Sequence, residues 1–249
     1  PTFGRAFDKT RYYGIYGTLM PEEYALTEKY GMYASAILGN FAEIRANTFF
    51  DDDSALSKSL FKDRGRDKSH GGAGNTNSLK NYSITIDGKI MDFAYNVGFR
   101  YLSTKGTLGE DEKGYVFGLE HLKEFYNGFL RIIPSFEIAY FENFDGSPNR
   151  DVYYATGVLP IIYGNWNILF SSTIKYDDEK GYKDYTSYLN QISMGYRFSN
   201  GFMIDAARKW HKEAEKISDS SMPVVSSGMT KNVRKYNSWA IMVSYLYKF

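Results

Sequence analysis

Apolar and polar residues alternate along most of this chain. The clearest segment starts at Met91, where small or polar residues separate Met91, Phe93, Tyr95, Val97, Phe99 and Tyr101. Strict alternation over about eleven residues is typical of a β-strand with one apolar and one polar face. The same period recurs clearly in 130–140, 166–176, 187–198, 202–211 and 238–249, and more weakly in 11–19, 30–38, 41–50, 79–87, 114–122 and 151–160. The pattern therefore predicts about twelve strands.

The connections between these segments indicate a meander. A helical period is not sustained in any segment, and the one helix-friendly stretch, from Lys209 to Ile217, is short and highly charged. Tight-turn sequences occur at Gly39-Asn40, Asp87-Gly88, Tyr126-Asn127-Gly128, Tyr163-Gly164-Asn165 and Ser199-Asn200-Gly201. They alternate with longer polar connections near 20–29, 51–78, 104–113, 143–150, 177–184 and 212–232. Alternating short and long connections favour an antiparallel up-and-down sheet with two unlike ends.

Two features of the strands favour a membrane barrel over a soluble one. Full charges stand in mid-strand on the polar faces, and so many charges need water or dense pairing. Tyr and Trp gather at the ends of the apolar faces, as in the aromatic girdles of strands that span a bilayer: Tyr101, Tyr140, Trp166, Tyr176, Trp210 and Tyr247. We therefore expect an all-β fold, a closed antiparallel up-and-down transmembrane β-barrel of about 12 strands (range 10–14). It forms a single domain over residues 1–249.

Composition narrows the function classes. The 249 residues include 30 Lys and Arg against 29 Asp and Glu, a net charge of +1, and no Cys. This balance argues against binding of nucleic acid, which needs a concentrated excess of cations on one face. The absence of Cys excludes disulfides, a thiolate nucleophile and Cys-ligated metal sites. The chain begins at Pro1 without a signal-peptide pattern, so we expect a signal peptide to have been removed already.

The C-terminal sequence carries a resemblance to a known class. Val243-Ser244-Tyr245-Leu246-Tyr247-Lys248-Phe249 resembles the terminal strand of bacterial outer-membrane proteins, which alternates aromatic residues and ends on Phe. With the barrel pattern before it, the whole chain is similar to small outer-membrane porins of the oligogalacturonate-specific, sialic-acid and OmpG types. The resemblance implies a monomer in the Gram-negative outer membrane, in contact with lipid and lipopolysaccharide. It also implies that the barrel assembly machinery reads the strand ending at Phe249.

The strand phase assigns a set of polar residues to the lumen of such a barrel. If the aromatic face meets lipid, the pore-lining candidates on the opposite face are Glu43, Arg45, Asp92, Asn96, Arg100, Glu120, Arg131, Glu137, Lys175, Arg197, Asp205 and Lys209. Opposed basic and acidic rows would set a transverse field that orients small polar solutes. The alternative is that these charges pair with one another and close the lumen. The first interpretation predicts passive diffusion of small hydrophilic solutes, with sugars or oligosaccharides as candidates.

Other functions receive less support from the sequence. None of the three His has a Ser two residues away, as the outer-membrane phospholipases would require, and only Asp51 to Asp53, or Glu213 with His211, supply pieces of an omptin-type protease. We therefore expect no enzyme, no cofactor and no metal site. An outer-membrane adhesin stays the alternative, ahead of a barrel enzyme. The longest connection, 51–78, is either a lid at the mouth or a solvated mobile loop.

Overall fold

The structure, a computed structural model, describes ten stretches of the chain: 3–4, 19–26, 29–51, 58–59, 62–63, 73–74, 78–104, 109–181, 184–215 and 232–245. Several expectations fall on residues outside these stretches: the strand at 11–19 apart from Leu19, most of the connections 51–78 and 212–232, the girdle residue Tyr247 and the terminal Phe249. Within the described stretches, no helix is long and apolar enough to cross a membrane.

Strands dominate the described residues. A short helix, α1 (Leu19–Glu22), precedes them, and a 3-10 turn lies at Phe144–Gly146. The strands are β1 (Lys29–Leu38), β2 (Ala42–Asp51), β3 (Lys58–Ser59), β4 (Lys62–Asp63), β5 (Asn81–Ile90), β6 (Phe93–Leu102), β7 (Glu112–His121), β8 (Lys123–Phe125), β9 (Leu130–Ile132), β10 (Ser135–Glu142), β11 (Arg150–Tyr163), β12 (Trp166–Glu179), β13 (Tyr185–Arg197), β14 (Phe202–Glu215) and β15 (Asn232–Tyr245). Strand residues amount to 73% and helical residues to 3%, which confirms the all-β prediction.

The strands form an antiparallel up-and-down sheet of 13 strands, within the predicted range of 10–14. The remaining two, β3 and β4, pair with each other inside the connection 51–78. The predicted strand 130–140 is interrupted between β9 and β10, at Ile133 and Pro134. Proline has no amide hydrogen to donate to a ladder, so regular pairing stops there. The amide of Ile133 instead donates to the carbonyl of Pro160 at 3.0 Å.

The chain divides into two compact units. Unit 1 comprises Pro1–Gly4, Tyr24–Leu119 and Ile138–Tyr153, and unit 2 comprises Arg5–Glu23, Glu120–Glu137 and Tyr154–Phe249. The single domain expected over residues 1–249 stays a prediction.

In unit 1, β1, β2, β5 and β6 pair consecutively, and their register corrects one predicted turn. The β5–β6 turn is at Met91 and Asp92, next to the pair Ile90↔Phe93, and not at Asp87-Gly88. Asp87 lies within β5, where its carboxylate accepts a hydrogen bond from Asn96 Nδ2 at 2.8 Å. Asp-Gly is a strong local turn signal, but the later turn gives each strand ten residues and keeps Ile86↔Val97 and Ile84↔Phe99 paired on one face.

In unit 2, β12 to β15 pair consecutively over long registers. β12 and β13 pair from Trp166↔Tyr196 to Asp177↔Tyr185, and β14 and β15 pair from Phe202↔Tyr245 to Glu215↔Asn232. The tight turns predicted in this unit lie where expected, at 126–129, 164–165 and 199–200. In unit 1 the turn predicted at Gly39-Asn40 is likewise confirmed.

The predicted polar connection near 20–29 is wrong for its first half. Residues 19–22 form α1, and Met20, Tyr24 and Leu26 are buried. Met20 and Tyr24 are four residues apart, which is the spacing of one helix face. A loop pointing to water would leave these side chains exposed, so this segment has packing partners.

Candidate functional site

Burial separates the two faces of the strands. In unit 1, Val97 is 41% exposed although it is apolar, and Thr85 is fully buried although it is polar. In unit 2, Phe170 is 43% exposed and Thr173 is fully buried. A strand in a water-soluble protein shows the reverse preference, so this arrangement fits strands whose apolar side meets lipid. We name the exposed apolar side the outward face and the buried polar side the inward face.

Aromatic rings in unit 1 form a continuous row across neighbouring strands. Tyr82 stacks on Tyr101, its partner across the β5–β6 pair, with centroids 4.9 Å apart. The row continues from Tyr82 through Phe99, Tyr115, Tyr140 and Tyr153, and the last two rings stack at 4.7 Å. The Tyr140 hydroxyl donates to Asp151 at 3.0 Å, so the apolar rings carry a polar tip. Such rings suit the level of the lipid headgroups, where one end is apolar and the other is wet.

A second set of aromatic rings lies in unit 2, next to the tight turns. Trp166 packs edge-on against Tyr196 at 4.7 Å, and Phe129 packs likewise against Tyr163 at 4.8 Å. Trp166 and Tyr176 stand at the two ends of the outward face of β12, with Phe170 and Ile174 between them. Ten residues of a strand tilted by about 45° rise roughly 24 Å, which matches the apolar band of an outer-membrane strand.

The predicted pore-lining residues differ widely in exposure. Asn96, Arg100, Glu137, Lys175 and Asp205 are buried, Glu43, Arg45, Glu120 and Lys209 are half-buried, and Asp92, Arg131 and Arg197 are exposed. Asp92 was expected within a strand and instead occupies the β5–β6 turn, because that turn is four residues later than Asp-Gly predicts. The others lie on strands, as expected. Whether the set lines a channel stays a prediction.

Arg100 in unit 1 forms the most enclosed ion pair of the described residues. Its Nε donates to Glu112 Oε1 at 2.8 Å, and both side chains are at most 3% exposed. A second guanidinium nitrogen donates to the backbone carbonyl of Tyr24 at 2.5 Å. The guanidinium also lies over the Phe141 ring, 4.4 Å from its centroid. Arg100 is therefore held on every side by polar and aromatic partners.

Two further polar contacts lie on the inward face of unit 1, and the first of them joins two predicted pore-lining residues. Arg45 donates to Glu43, two residues earlier on the same face of β2, at 2.8 Å. Asn47 Nδ2 donates to Ser83 Oγ on β5 at 3.1 Å. The inward face of this unit thus contains local pairs of opposite charge and neutral hydrogen bonds, and the pairs leave little net charge on it.

Lys175 in unit 2 is bonded to a residue outside the strands. Its Nζ lies 2.5 Å from Glu23 Oε2, and the Tyr154 hydroxyl donates to the same oxygen at 2.8 Å. Lys175 and Tyr154 belong to the inward faces of β12 and β11, and both are buried. Glu23 follows α1 directly. The residue that neutralises Lys175 therefore comes from the segment before the first described strand.

A row of polar side chains crosses the inward face of β12, β13 and β14. Ser171, Gln191 and Lys209 are direct partners in the strand register. Among the residues that the structure describes, neither amide atom of Gln191 nor the hydroxyl of Ser171 has a hydrogen-bond partner, although both side chains are buried. Nearly all buried polar atoms in folded proteins are bonded to protein or water. This row is therefore suited to ordered water or a polar solute.

Gly195 is a closely packed position on the inward face of unit 2. Gly195 lies between Asn167 on β12 and Asp205 on β14, which are its partners in the register. A Cβ atom on Gly195 would approach Asn167 Oδ1 to 2.3 Å and would overlap Asp205 Oδ1 still more closely. The Asn167 amide donates to this Asp205 oxygen at 3.5 Å, across the glycine. Gly195 therefore makes room for a polar contact between two strands that are not neighbours.

Asp111 anchors the connection between β6 and β7. Its carboxylate accepts hydrogen bonds from the Tyr101 hydroxyl and from the Thr104 amide, the latter at 2.8 Å. Burial alone raises the pKa of Asp111, but the hydrogen bonds from Tyr101 and Thr104 lower the pKa below its ordinary value. The ionised carboxylate therefore fastens one end of this connection to the end of β6.

The described residues do not assemble a recognisable catalytic group. His211 Nε2 and Glu213 Oε2 are 3.8 Å apart on β14. Within the described stretches, His, Asp and Glu side chains form no cluster of three that could hold a metal ion. His70 and most of the Asp triplet at 51–53 lie outside those stretches.

The sequence interpretation missed Glu112, Glu23, Tyr24 and Gln191. Gln191 lies on the predicted polar face but was not chosen as a candidate because it is uncharged. Glu112 was assigned to the connection 104–113, although it begins β7. Only the i, i+4 spacing of Met20 and Tyr24 would have indicated that the segment around Glu23 is packed.

Comparison with known proteins gives no match by sequence and a clear match by structure. No family model and no curated protein matches the chain. Pseudomonas aeruginosa OccK5 (OpdH) matches with a TM-score of 0.51 at 10% identity, over 88% of this chain and 71% of that one. Pseudomonas aeruginosa OccD3 (OpdP) matches with a TM-score of 0.50 at 10% identity, over 74% of this chain and 49% of that one.

These neighbours are outer-membrane porins, so the resemblance inferred from the sequence is confirmed at the level of the fold. The chain spans about half the length of OccD3. The predicted location in the bacterial outer membrane agrees with both neighbours. The sheet order, the outward apolar faces and the two structural matches together give this chain the fold of the outer-membrane β-barrel porins.

Proposed function

We propose that the chain is a channel for passive diffusion of small hydrophilic solutes across the bacterial outer membrane. The observation that carries this proposal is the division of strands such as β6, β12 and β13 into an outward face of exposed apolar side chains and a buried inward face that is mainly polar. An inward face of hydroxyls, amides and paired charges suits water and polar solutes, and an outward face of Phe, Ile and Val suits lipid. The porin fold of OccK5 supports the same conclusion.

Sugars or oligosaccharides are the solute class that the inward face favours. In unit 2 the row of Ser171 and Gln191 offers hydroxyl and amide groups that both donate and accept hydrogen bonds. Neutral polyols need such groups more than they need net charge. Because Arg100 and Lys175 are each paired with an acid, we expect weak ion selectivity.

The remaining parts of the proposal follow from the same fold. The pore-lining set comprises the predicted residues on the inward face, without Asp92. The protein acts as a monomer without cofactor or covalent chemistry, and the assembly machinery reads the strand that ends at Phe249. Lipid and lipopolysaccharide surround the outward aromatic rows.

Reconstitution tests this function directly. The refolded protein is placed in planar bilayers for single-channel recording and in liposomes for swelling assays with sugars of increasing size. We expect discrete conductance steps and swelling rates that fall steeply with solute size. Heat-denatured protein in the same detergent is the control. A folded protein that gives neither conductance nor swelling would overturn the proposal and favour the adhesin.

A further inference from the structure

Glu23 joins the segment before the first described strand to the inward face of unit 2. One carboxylate oxygen accepts hydrogen bonds from Lys175 Nζ at 2.5 Å and from the Tyr154 hydroxyl at 2.8 Å. The two donors come from neighbouring strands, β12 and β11. The Lys175 ammonium also lies 5.6 Å from the centroid of the Tyr154 ring. Glu23 is thus held by a group of two donors and cannot shift without losing both.

The exposure of this group differs between its members. The Lys175 side chain is 9% exposed and the Glu23 side chain is 34% exposed. Lys175 is therefore the more enclosed partner of this ion pair, whereas Glu23 keeps one side toward open space. A buried ammonium without its carboxylate is costly, because water no longer solvates it and no anion replaces the water.

The helix before Glu23 has no stability of its own. α1 contains only four residues, and a helix this short does not form in water without tertiary contacts. Met20 is 2% exposed, whereas the neighbouring Glu22 points to open space. The position of 19–23 is therefore set by packing of Met20 and by the Glu23 pair.

We propose that Glu23 is a selectivity-determining residue of the channel and that residues 19–23 form part of its constriction. This inference rests on the proposed channel function. The segment occupies the inward face of β11 and β12, which is the side that solutes pass in a porin fold. The Glu23 carboxylate neutralises Lys175 and holds the segment in place, so it controls both the width and the charge of the passage.

If Glu23 only stabilises the fold, its loss has different consequences from the loss of a constriction. Loss of a contact that only stabilises the fold lowers the free energy of unfolding and leaves the conductance of folded channels unchanged. Loss of a constriction raises the conductance, and the sign of the selectivity change depends on which charge remains. Two single variants with opposite remaining charges therefore separate the two roles.

The experiment compares Glu23→Gln, Lys175→Met and the double variant in planar bilayers with a salt gradient. We expect both single variants to raise the single-channel conductance, by about two-fold. Glu23→Gln should shift the reversal potential toward anions, because Lys175 remains, and Lys175→Met should shift it toward cations. The double variant should keep the high conductance and return to nearly unchanged selectivity. Glu142→Gln, a partly exposed acid on β10 outside residues 19–23, is the matched control and should behave as the unmodified chain.

A second readout does not depend on conductance. The chain has no Cys, so Met20→Cys introduces a single thiol at a buried position. We expect slow labelling by a water-soluble maleimide, and labelling at least several-fold faster when Glu23→Gln is added. Adding Glu142→Gln instead should leave the rate unchanged.

The outcomes separate this inference from the channel function. If the unmodified chain conducts and Glu23→Gln matches Glu142→Gln in both assays, the inference is overturned and the channel function stands. If the unmodified chain is silent and Glu23→Gln conducts, the segment closes the channel: the inference is supported, and passive diffusion through the unmodified chain is overturned. If no variant conducts or swells liposomes, both proposals fall together.

Discussion

Arg100 and Glu112 form an ion pair across the β6–β7 boundary in which neither partner reaches water. The Nε to Oε1 distance is 2.8 Å, and Glu112 Oε2 additionally accepts the Asp145 amide at 2.8 Å. Both oxygens of one carboxylate and several hydrogens of one guanidinium are therefore used. Arg100 was expected on the lumen wall, either in a row of charges that faces the passage or paired with an acid, and its geometry is that of a paired cation.

Removal of one partner from this pair should destabilise the fold strongly. Glu112→Gln leaves Arg100 buried without its anion, and we expect a loss of about 3–5 kcal/mol of unfolding free energy. Urea unfolding in lipid vesicles, followed by gel migration of the folded and unfolded forms, measures this loss. Glu142→Gln is the matched control, because its partner Lys113 is exposed, and no measurable change is expected there. Equal effects of the two variants would contradict the assignment.

The two faces of β6 should respond oppositely to their surroundings. A spin label at Val97 should be relaxed by oxygen dissolved in lipid, and a label at Asn96 by a water-soluble nickel complex, because successive side chains of a strand point to opposite faces. Phe170 and Ser171 on β12 provide a second pair in the other unit. The same response at both members of a pair would show that the phase is wrong.

Gly195 and Gly157 should differ sharply in their tolerance of a methyl group. Gly195→Ala brings Cβ against the Asn167 and Asp205 side chains, and we expect a loss of about 1–3 kcal/mol from overpacking. Gly157→Ala is the control on β11, because a Cβ there meets no atom within 4 Å among the described residues. Its stability should be unchanged or slightly higher. Unfolding midpoints in urea give the comparison, and an unaffected Gly195→Ala would refute the close packing.

Acid should weaken the connection between β6 and β7 through Asp111. Its pKa lies below the ordinary value because Tyr101 and Thr104 donate to the ionised form, against the opposing effect of burial. A lowered pKa in the folded state contributes stability above the unfolded pKa of about 3.9, and this contribution is lost as the pH falls through the folded value. We therefore expect Asp111→Asn to lower the urea midpoint at pH 6 and to have a smaller effect at pH 3.

The neighbouring acid provides the control for this experiment. Glu110 is exposed on the same connection. Glu110→Gln should change the urea midpoint at neither pH. A difference between Asp111→Asn and the unmodified chain that persists unchanged at pH 3 would contradict the role of the ionised carboxylate.

The strands and their two faces could be predicted from the amino-acid sequence alone. Alternation is a property of the backbone, since side chains of an extended chain point to opposite sides at every step. Val97 and Asn96 could therefore be assigned to opposite faces without knowledge of any partner strand. The apolar face with aromatic residues at its ends likewise indicated a membrane barrel, because strands that span a bilayer turn apolar side chains toward lipid and carry aromatic residues at both interfaces.

Only the tertiary structure decided which groups meet. No turn forms at Asp87-Gly88, because Ile84 pairs with Phe99 and Ile86 with Val97 in a register that continues past this dipeptide. The register is set by the pairing of whole strands and not by two residues. Glu23 and Lys175 are 152 residues apart in the chain, and no periodicity relates them. A charge on a predicted polar face can be free or paired, and the difference depends on the position of a distant carboxylate. The strands of this protein could thus be predicted from the sequence, because local alternation determines which way each side chain points. The pairing of its inward charges could not be predicted, because long-range packing determines the distance between two charged groups.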